Sequence, residues 1–90
     1  MSEIRLDQDQ QRFVMEIDGH ECELGFSRDG DIVSMNHVRV PDAVGGRGLA
    51  GQLTRHALGW ARDEGLKVRA VCPYVARFVE RHTEYQSLIG

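Results

Sequence analysis

The chain has 90 residues and a formal net charge of −3, with 41% hydrophobic and 28% charged residues. This composition is typical of one globular domain. The chain is too short for a dinucleotide-binding fold, which is built from two halves. The 11 basic residues are scattered along the chain, which argues against a nucleic-acid partner. No apolar run approaches the ~18 residues of a membrane-spanning helix, so we expect no membrane partner.

The amino-terminal segment is polar and lacks the apolar core of a signal peptide. We therefore expect residues 1–10 to be flexible, residues 1–90 to form a single domain, and the protein to stay in the cytoplasm. Cys22 and Cys72 lie far apart in the chain and are expected to be free thiols. No bound metal is expected, because His20 and Cys22 form one ligand pair with no second pair to complete it.

Alternating apolar and polar residues predict strands near 12–17, 20–27 and 31–40. Asp18-Gly19 suits the hairpin turn between the first two, because both central positions of such a turn need positive φ. A second turn, Arg28-Asp-Gly-Asp31, leads into the third strand. This part of the chain is therefore predicted to be an antiparallel meander.

The third strand does not keep a single alternation. In a regular strand, Val33, Met35 and His37 would point to one face of the sheet, and Val38 and Val40 would point to the other. Burial of a central strand on both faces would explain this pattern. A β-bulge near Asn36-His37 that re-aims the end of the strand would explain it equally well. The sequence leaves both explanations open.

A glycine-rich turn follows the third strand and opens directly into a helix. Gly45, Gly46 and Gly48 leave the backbone uncovered, so that its N–H groups can approach a ligand closely. The helix adds unpaired N–H groups and the positive end of its dipole, which together suit a phosphate or pyrophosphate. Arg47 is placed to add a charge-assisted contact. An anion site is the leading interpretation, and a turn that binds nothing is the alternative.

Two familiar glycine motifs fit this turn poorly. The phosphate loop of the Walker type needs a lysine and a hydroxyl residue that are missing here. Gly46-Arg-Gly48-Leu-Ala-Gly51 has the spacing of a dinucleotide fingerprint. However, Val71 and Cys72 stand where that fingerprint expects an acidic residue, about 20 residues further on. The sequence therefore does not support either class.

The second half of the chain predicts a helix, a strand and another helix. Apolar residues recur at helical spacing over 48–64, and Gly65 suits the helix end. A strand follows near 67–72, and Pro73 suits the first position of a helix over 73–82. Because a helix joins them, the third and fourth strands should be parallel neighbours. The predicted fold class is α+β: an antiparallel three-strand meander, a parallel β-α-β crossover and a carboxy-terminal helix.

Short segments around these elements carry a family resemblance. They are Asn36-His-Val38, Gly48 and Ala50 in the turn, Val71-Cys-Pro-Tyr-Val75, Phe78 and His82-Thr-Glu-Tyr85. In this order the chain resembles the GNAT superfamily of N-acetyltransferases, and in particular very small GNAT-like proteins with a cysteine at the end of the fourth strand. The family signature Arg/Gln-x-x-Gly-x-Gly/Ala has Gly45 at its first fixed position here. The resemblance extends over residues 10–88.

The resemblance implies an N-acetyltransferase that uses acetyl-CoA as co-substrate and acts on an unidentified amine acceptor, with no metal. It implies that the third and fourth strands splay apart and that the pantetheine arm of the coenzyme lies between them, along Val38 and Val40. Tyr74 is a candidate coenzyme contact because it lies beside the cysteine, and packing in the core with Phe78 is the alternative. The pyrophosphate is expected on the turn, at Gly45, Gly46, Arg47, Gly48, Leu49 and Ala50. A CoA or acyl-CoA binding module with little turnover remains the alternative, since the helices that usually cover the acceptor are missing from the predicted elements.

Two side chains are candidates for the chemistry. Cys72 precedes a helix whose dipole favours a thiolate, so it is placed to accept the acetyl group or to protonate the leaving thiolate. The alternative for Cys72 is a small buried residue that only packs. His37 is a candidate general base near the carboxyl end of the third strand, and the alternative is a core histidine. His82 is a weaker candidate, because it shares a helix face with Phe78.

Overall fold

The computed structural model describes residues 4–90. Within this range one mixed sheet holds its strands in chain order, and helices follow the fourth and fifth strands. The elements are β1 (Arg5–Asp7), β2 (Arg12–Ile17), β3 (His20–Asp29), β4 (Ile32–Arg39), α1 (Leu49–Asp63), β5 (Lys67–Ala70) and α2 (Pro73–Arg81). Short 3₁₀ helices span Asp42–Val44 and Thr83–Leu88.

The predicted antiparallel meander is confirmed. The hairpin between β2 and β3 turns at Asp18 and Gly19, with φ of 52° and 79°, as an Asp-Gly turn requires. Along β3 the alternation puts Cys22 and Leu24 on a buried face and Glu21 on the opposite face. The hairpin signal and the period of two therefore specified this part of the sheet.

Part of the segment that was expected to be flexible, residues 1–10, forms β1. Residues 5–7 pair with β2 as an antiparallel edge strand, with Leu6 opposite Phe13. A turn over residues 8–11 joins the two strands. Ile4 and Leu6 pack against the core and alternate with Arg5 and Asp7. Two apolar residues are too short a pattern to distinguish a strand from a loop. Residues 1–3, which share the same expectation, lie outside the described range.

A β-bulge explains the change of parity in β4. Gly25 pairs with His37 and the next residue, Phe26, pairs with Met35, so that Asn36 is the extra residue on β4. Met35 faces the core before the bulge, and half-buried Val38, opposite the core residue Leu24, does so after it. The bulge explanation is therefore confirmed.

β4 and β5 are parallel neighbours, as predicted, but they pair only over residues 32–35 and 67–70. One further hydrogen bond, from the Cys72 N–H to the Met35 carbonyl at 2.9 Å, closes this pairing. The predicted strand 67–72 is thus too long, and Val71 is 58% exposed. Beyond Met35, β4 pairs with β3 alone, so its edge towards β5 is open.

Helix α1 covers one face of the sheet and builds the core with it. Its spacing of apolar residues buries Leu53, Ala57, Leu58 and Ala61 completely. At its far end Trp60 packs edge-on against Phe13 and at a tilt against Phe26, with ring centroids 5.3 Å away in each case. Among residues 4–90, no helix combines the length and apolarity needed to cross a membrane.

Replacing Phe13 with alanine should destabilise the domain by about 3–5 kcal/mol, because it leaves a cavity between β2 and α1. The matched control is Val71→Ala, which removes methyl groups that are largely in water and should change stability by about 0.5 kcal/mol or less. Urea unfolding followed by circular dichroism measures both. Equal losses in the two variants would contradict this account of the core.

Candidate functional site

The glycine-rich turn adopts a conformation that depends on its glycines. Gly46 and Gly48 have φ of 78° and 74°, in the left-handed region that side chains disfavour. A β-carbon built at either position would meet no atom within 4 Å, so the space over the turn is open. Gly48 is also the N-cap residue of α1, and no side chain caps this helix end.

The turn presents a row of unused N–H groups. Within residues 4–90, the N–H groups of Gly46, Arg47 and Gly48 donate to no protein acceptor, whereas that of Gly45 donates to the Asp42 carbonyl at 3.1 Å. The next three N–H groups belong to the first turn of α1, where the helix itself offers no acceptor. Successive donors beside a positive helix end are an arrangement that suits an anion.

Arg47, the predicted phosphate contact, already has a partner. Its Nη1 lies 2.7 Å from Oδ2 of Asp18, at the tip of the β2–β3 hairpin. Both side chains are largely exposed, at 50% for Arg47 and 66% for Asp18. Exposed pairs of this kind are worth about 0–1 kcal/mol, so Arg47 can exchange its partner at little cost.

The open edge of β4 lies next to this turn. Val38 and Val40 are both half-buried and contact the core with part of their side chains. Between Met35 and the turn, the edge of β4 that faces β5 has no strand partner. The parallel strands thus end at the same edge of the sheet as the unused N–H groups of the turn.

Cys72 lies where β5 gives way to α2. It is the N-cap residue of α2, and its carbonyl accepts the N–H of Ala76 at 3.0 Å. The side chain is a free thiol that is 7% exposed, compared with 0% for Cys22. Burial also raises the pKa of the Cys22 thiol, which disfavours the thiolate at that position.

His37 lies on the sheet face opposite α1. Without the bulge it would follow Val33 and Met35 towards the core, so the extra residue is what turns it outward. The core-histidine alternative is therefore wrong. The His37 Nε2 lies 2.6 Å from Oε2 of Glu23, and the ring covers Gly25.

Glu23 links His37 to Arg12. The guanidinium of Arg12 donates to Glu23 at 2.7 Å and to Glu21 at 2.8 Å. The hydrogen bond from His37 lowers the pKa of Glu23 most, partial burial opposes that shift, and the bond from Arg12 adds to it. Glu23 and Gly25 are not among the predicted residues, because their contact with His37 follows from a register that the bulge sets. The alternation of β3, which puts Glu21 and Glu23 on one face, was the available signal.

Tyr74 lies beside the first turn of α1. A β-carbon built at Gly51 would be 3.3 Å from the Tyr74 hydroxyl, so the small residue makes room for the ring. Tyr74 is half in solvent and faces Phe78, with ring centroids 6.4 Å apart. His82 packs on Phe78 at 4.1 Å, as its place on the same helix face suggested.

The predicted site residues thus fall into two groups. The turn, the open edge of β4, Cys72 and Tyr74 lie along the ends of β4 and β5 and the starts of the two helices, while His37 faces the other side of the sheet. In the described part of the chain, no three side chains of the kinds that bind metals lie together.

The chain is similar to known proteins in fold and, over part of its length, in sequence. A GCN5-like protein from Staphylococcus aureus, solved by NMR, superposes with a TM-score of 0.76 over 98% of this chain and 87% of its own, at 24% identity. Cattle and human proteins named NATD1 are each 39% identical over 51 residues, which is 57% of this chain and 45% of theirs. The zebrafish NATD1 is 34% identical over 56 residues.

The matched segment spans about half the length of these curated relatives, from 45% of the cattle protein to 51% of the zebrafish protein. The sequence profile of the GCN5-related N-acetyl-transferases matches residues 12–88, from β2 to the end of the last 3₁₀ helix. The chain therefore belongs to the GCN5-related N-acetyltransferase family.

Proposed function

We propose that this protein is an acetyl-CoA-dependent N-acetyltransferase acting on an amine acceptor that is still to be identified. The observation that carries the proposal is the row of unused N–H groups from Gly46 into the first turn of α1, next to the open edge of β4. A ligand that has both a pyrophosphate and an extended amide-bearing arm, as CoA does, matches both features.

The turn fits the pyrophosphate by its backbone. The empty space over Gly46 and Gly48 lets phosphate oxygens come within hydrogen-bond distance of the N–H groups. The positive end of α1 favours the charge, and Arg47 adds a cation if it releases Asp18. The open edge of β4, from Met35 towards Val40, fits the pantetheine arm, because its amides can bond to a free strand edge as an added strand does.

Acetyl transfer to an amine forms a C–N bond and breaks the thioester C–S bond. The amine must lose a proton and the leaving sulfur must gain one. We assign His37 as the base that takes the proton from the amine, because the imidazole is half exposed on the open face of the sheet. We assign Cys72, at the end of β5, to the sulfur side, where its thiol can supply a proton or accept the acetyl group.

A CoA-binding module without turnover is the second candidate. One observation favours it: within residues 4–90 only a turn over residues 8–11 joins β1 to β2, and no helix there covers an acceptor. Release of free CoA from acetyl-CoA in the presence of a panel of amines separates the two functions. Binding without release would favour the module.

Gly48→Val should abolish measurable CoA binding, because a side chain with φ near 74° is strained and would stand over the phosphate site. Isothermal titration calorimetry with CoA measures the affinity. The matched control is Gly30→Val, which is strained in the same way, at φ 61°, in the turn between β3 and β4. That variant should lose stability to a similar extent and keep its CoA affinity. Wild-type affinity in Gly48→Val would refute the assignment of the turn.

Asp18→Asn should tighten CoA binding up to about fivefold at low salt, because it frees Arg47 from an exposed ion pair. Arg47→Ala should weaken binding about tenfold, the loss of one partly exposed charge-assisted bond. Arg62→Ala is the control, since Arg62 pairs with Asp63 at the far end of α1. If Arg47→Ala and Arg62→Ala have the same affinity, Arg47 does not contact the coenzyme.

Cys72 should react with an alkylating agent faster than Cys22, because it is slightly exposed and the Cys22 thiol is fully buried with a raised pKa. Saturating CoA should protect Cys72, and mass spectrometry of the digested protein gives the rate at each site. Cys72→Ala supplies the background rate of Cys22 alone. Alkylation of Cys72 that is indifferent to CoA would leave the cysteine a packing residue.

A further inference from the structure

The sheet provides space for the His37 ring. The bulge at Asn36 turns the side chain onto the open face, directly over Gly25 of β3. A β-carbon at Gly25 would lie 2.7 Å from the His37 Nε2 and 2.9 Å from Nδ1, which is closer than such atoms approach. The ring can therefore lie on the strand only because residue 25 is glycine.

The carboxylate of Glu23 binds one nitrogen of the His37 ring. Glu23 lies 2.6 Å from His37 Nε2, and its side chain is 15% exposed, compared with 49% for His37. Because an ionised carboxylate only accepts hydrogen bonds, the proton of the neutral imidazole must be on Nε2. The other nitrogen, Nδ1, then has a free lone pair.

We propose that Glu23 is a positioning residue, which holds His37 in the tautomer that has a proton on Nε2 and leaves Nδ1 as the proton acceptor. This inference deepens the proposed acetyl transfer and rests on it for its catalytic consequence. The proton of the acceptor amine passes to Nδ1 while the Nε2 proton stays in place. The imidazolium formed in that step is stabilised by the adjacent negative charge of Glu23.

The surrounding charges keep Glu23 ionised. Arg12 on β2 donates to it, and Arg39, opposite Glu23 on β4, adds a favourable charge. Glu21 on β3 takes part of the positive charge of Arg12 through its own hydrogen bond. The chain thus offers a matched pair: Glu21 and Glu23 both bind Arg12, but only Glu23 contacts His37.

The test compares Glu23→Gln and Glu23→Ala with the control Glu21→Gln in the full chain. Ring ¹⁵N chemical shifts, assigned with His37→Ala, report the tautomer of His37 at alkaline pH. We expect the Nε2–H form in wild type and in Glu21→Gln, and a mixture in Glu23→Ala. In His37→Ala the pKa of Glu23 should rise towards its ordinary value, since the bond from His37 is the main cause that lowers it.

The kcat of each variant should depend on the tautomer of His37. Glu23→Ala and Glu23→Gln should lower kcat by about 10–100-fold with an unchanged KM for acetyl-CoA, while Glu21→Gln keeps wild-type kcat. Gly25→Ala should lower kcat similarly, because it displaces a movable ring and leaves the fold intact. A wild-type tautomer and kcat in both Glu23 variants would overturn the inference. Absence of CoA binding in the wild type would instead refute the proposed function, whatever the ¹⁵N shifts show.

Discussion

The hydrogen bond from the Cys72 N–H to the Met35 carbonyl is the last link between β4 and β5, and the site is arranged around it. Up to this bond the two strands form an ordinary parallel pair. After this bond, β4 continues along β3. The segment that follows β5 turns at once into α2, whose first residue is Pro73. One strand therefore keeps pairing on one edge and leaves the other edge open. A sheet edge with free N–H and C=O groups attracts an extended partner.

The bulge at Asn36 has a complementary effect on the same strand. It lets β4 bury Met35 on one side of the irregularity and Val38 on the other, while His37 passes to the opposite face. A single inserted residue thus lets one strand keep core contacts on both sides of the bulge and point an imidazole outward. Bulges that re-aim side chains beside active sites are frequent in sheets.

Much of this architecture could be predicted from the sequence, because its signals are local. The alternation in β2 and β3, the Asp-Gly hairpin and the helical spacing of α1 each specify an element without knowledge of its neighbours. The three-residue strand β1 is harder to predict, because the alternation around it contains only two apolar residues, Ile4 and Leu6. The length of β5 was overestimated because Val71 looks like a strand residue, whereas the chain has already left the sheet there.

The side-chain contacts of the site were harder to predict, because they join residues that are distant in sequence. The apolar pattern of β4 is compatible with a bulge or with burial on both faces. Only the register of β3 against β4 decides between the two explanations. The pairing of Glu23 with His37 depends on that register. The ion pair between Arg47 and Asp18 depends on where the hairpin tip lies relative to the turn, and no local pattern encodes that distance.

The position of Trp60 has a practical consequence for spectroscopy. It is the one tryptophan of the chain, and it packs against Phe13 and Phe26 of the sheet. Eleven residues of helix, or about 16 Å along the axis of α1, separate it from Leu49 at the helix start. Intrinsic fluorescence therefore reports the separation of helix and sheet during unfolding. The indole is remote from events at the glycine turn, so unfolding can be followed optically with the turn occupied or vacant.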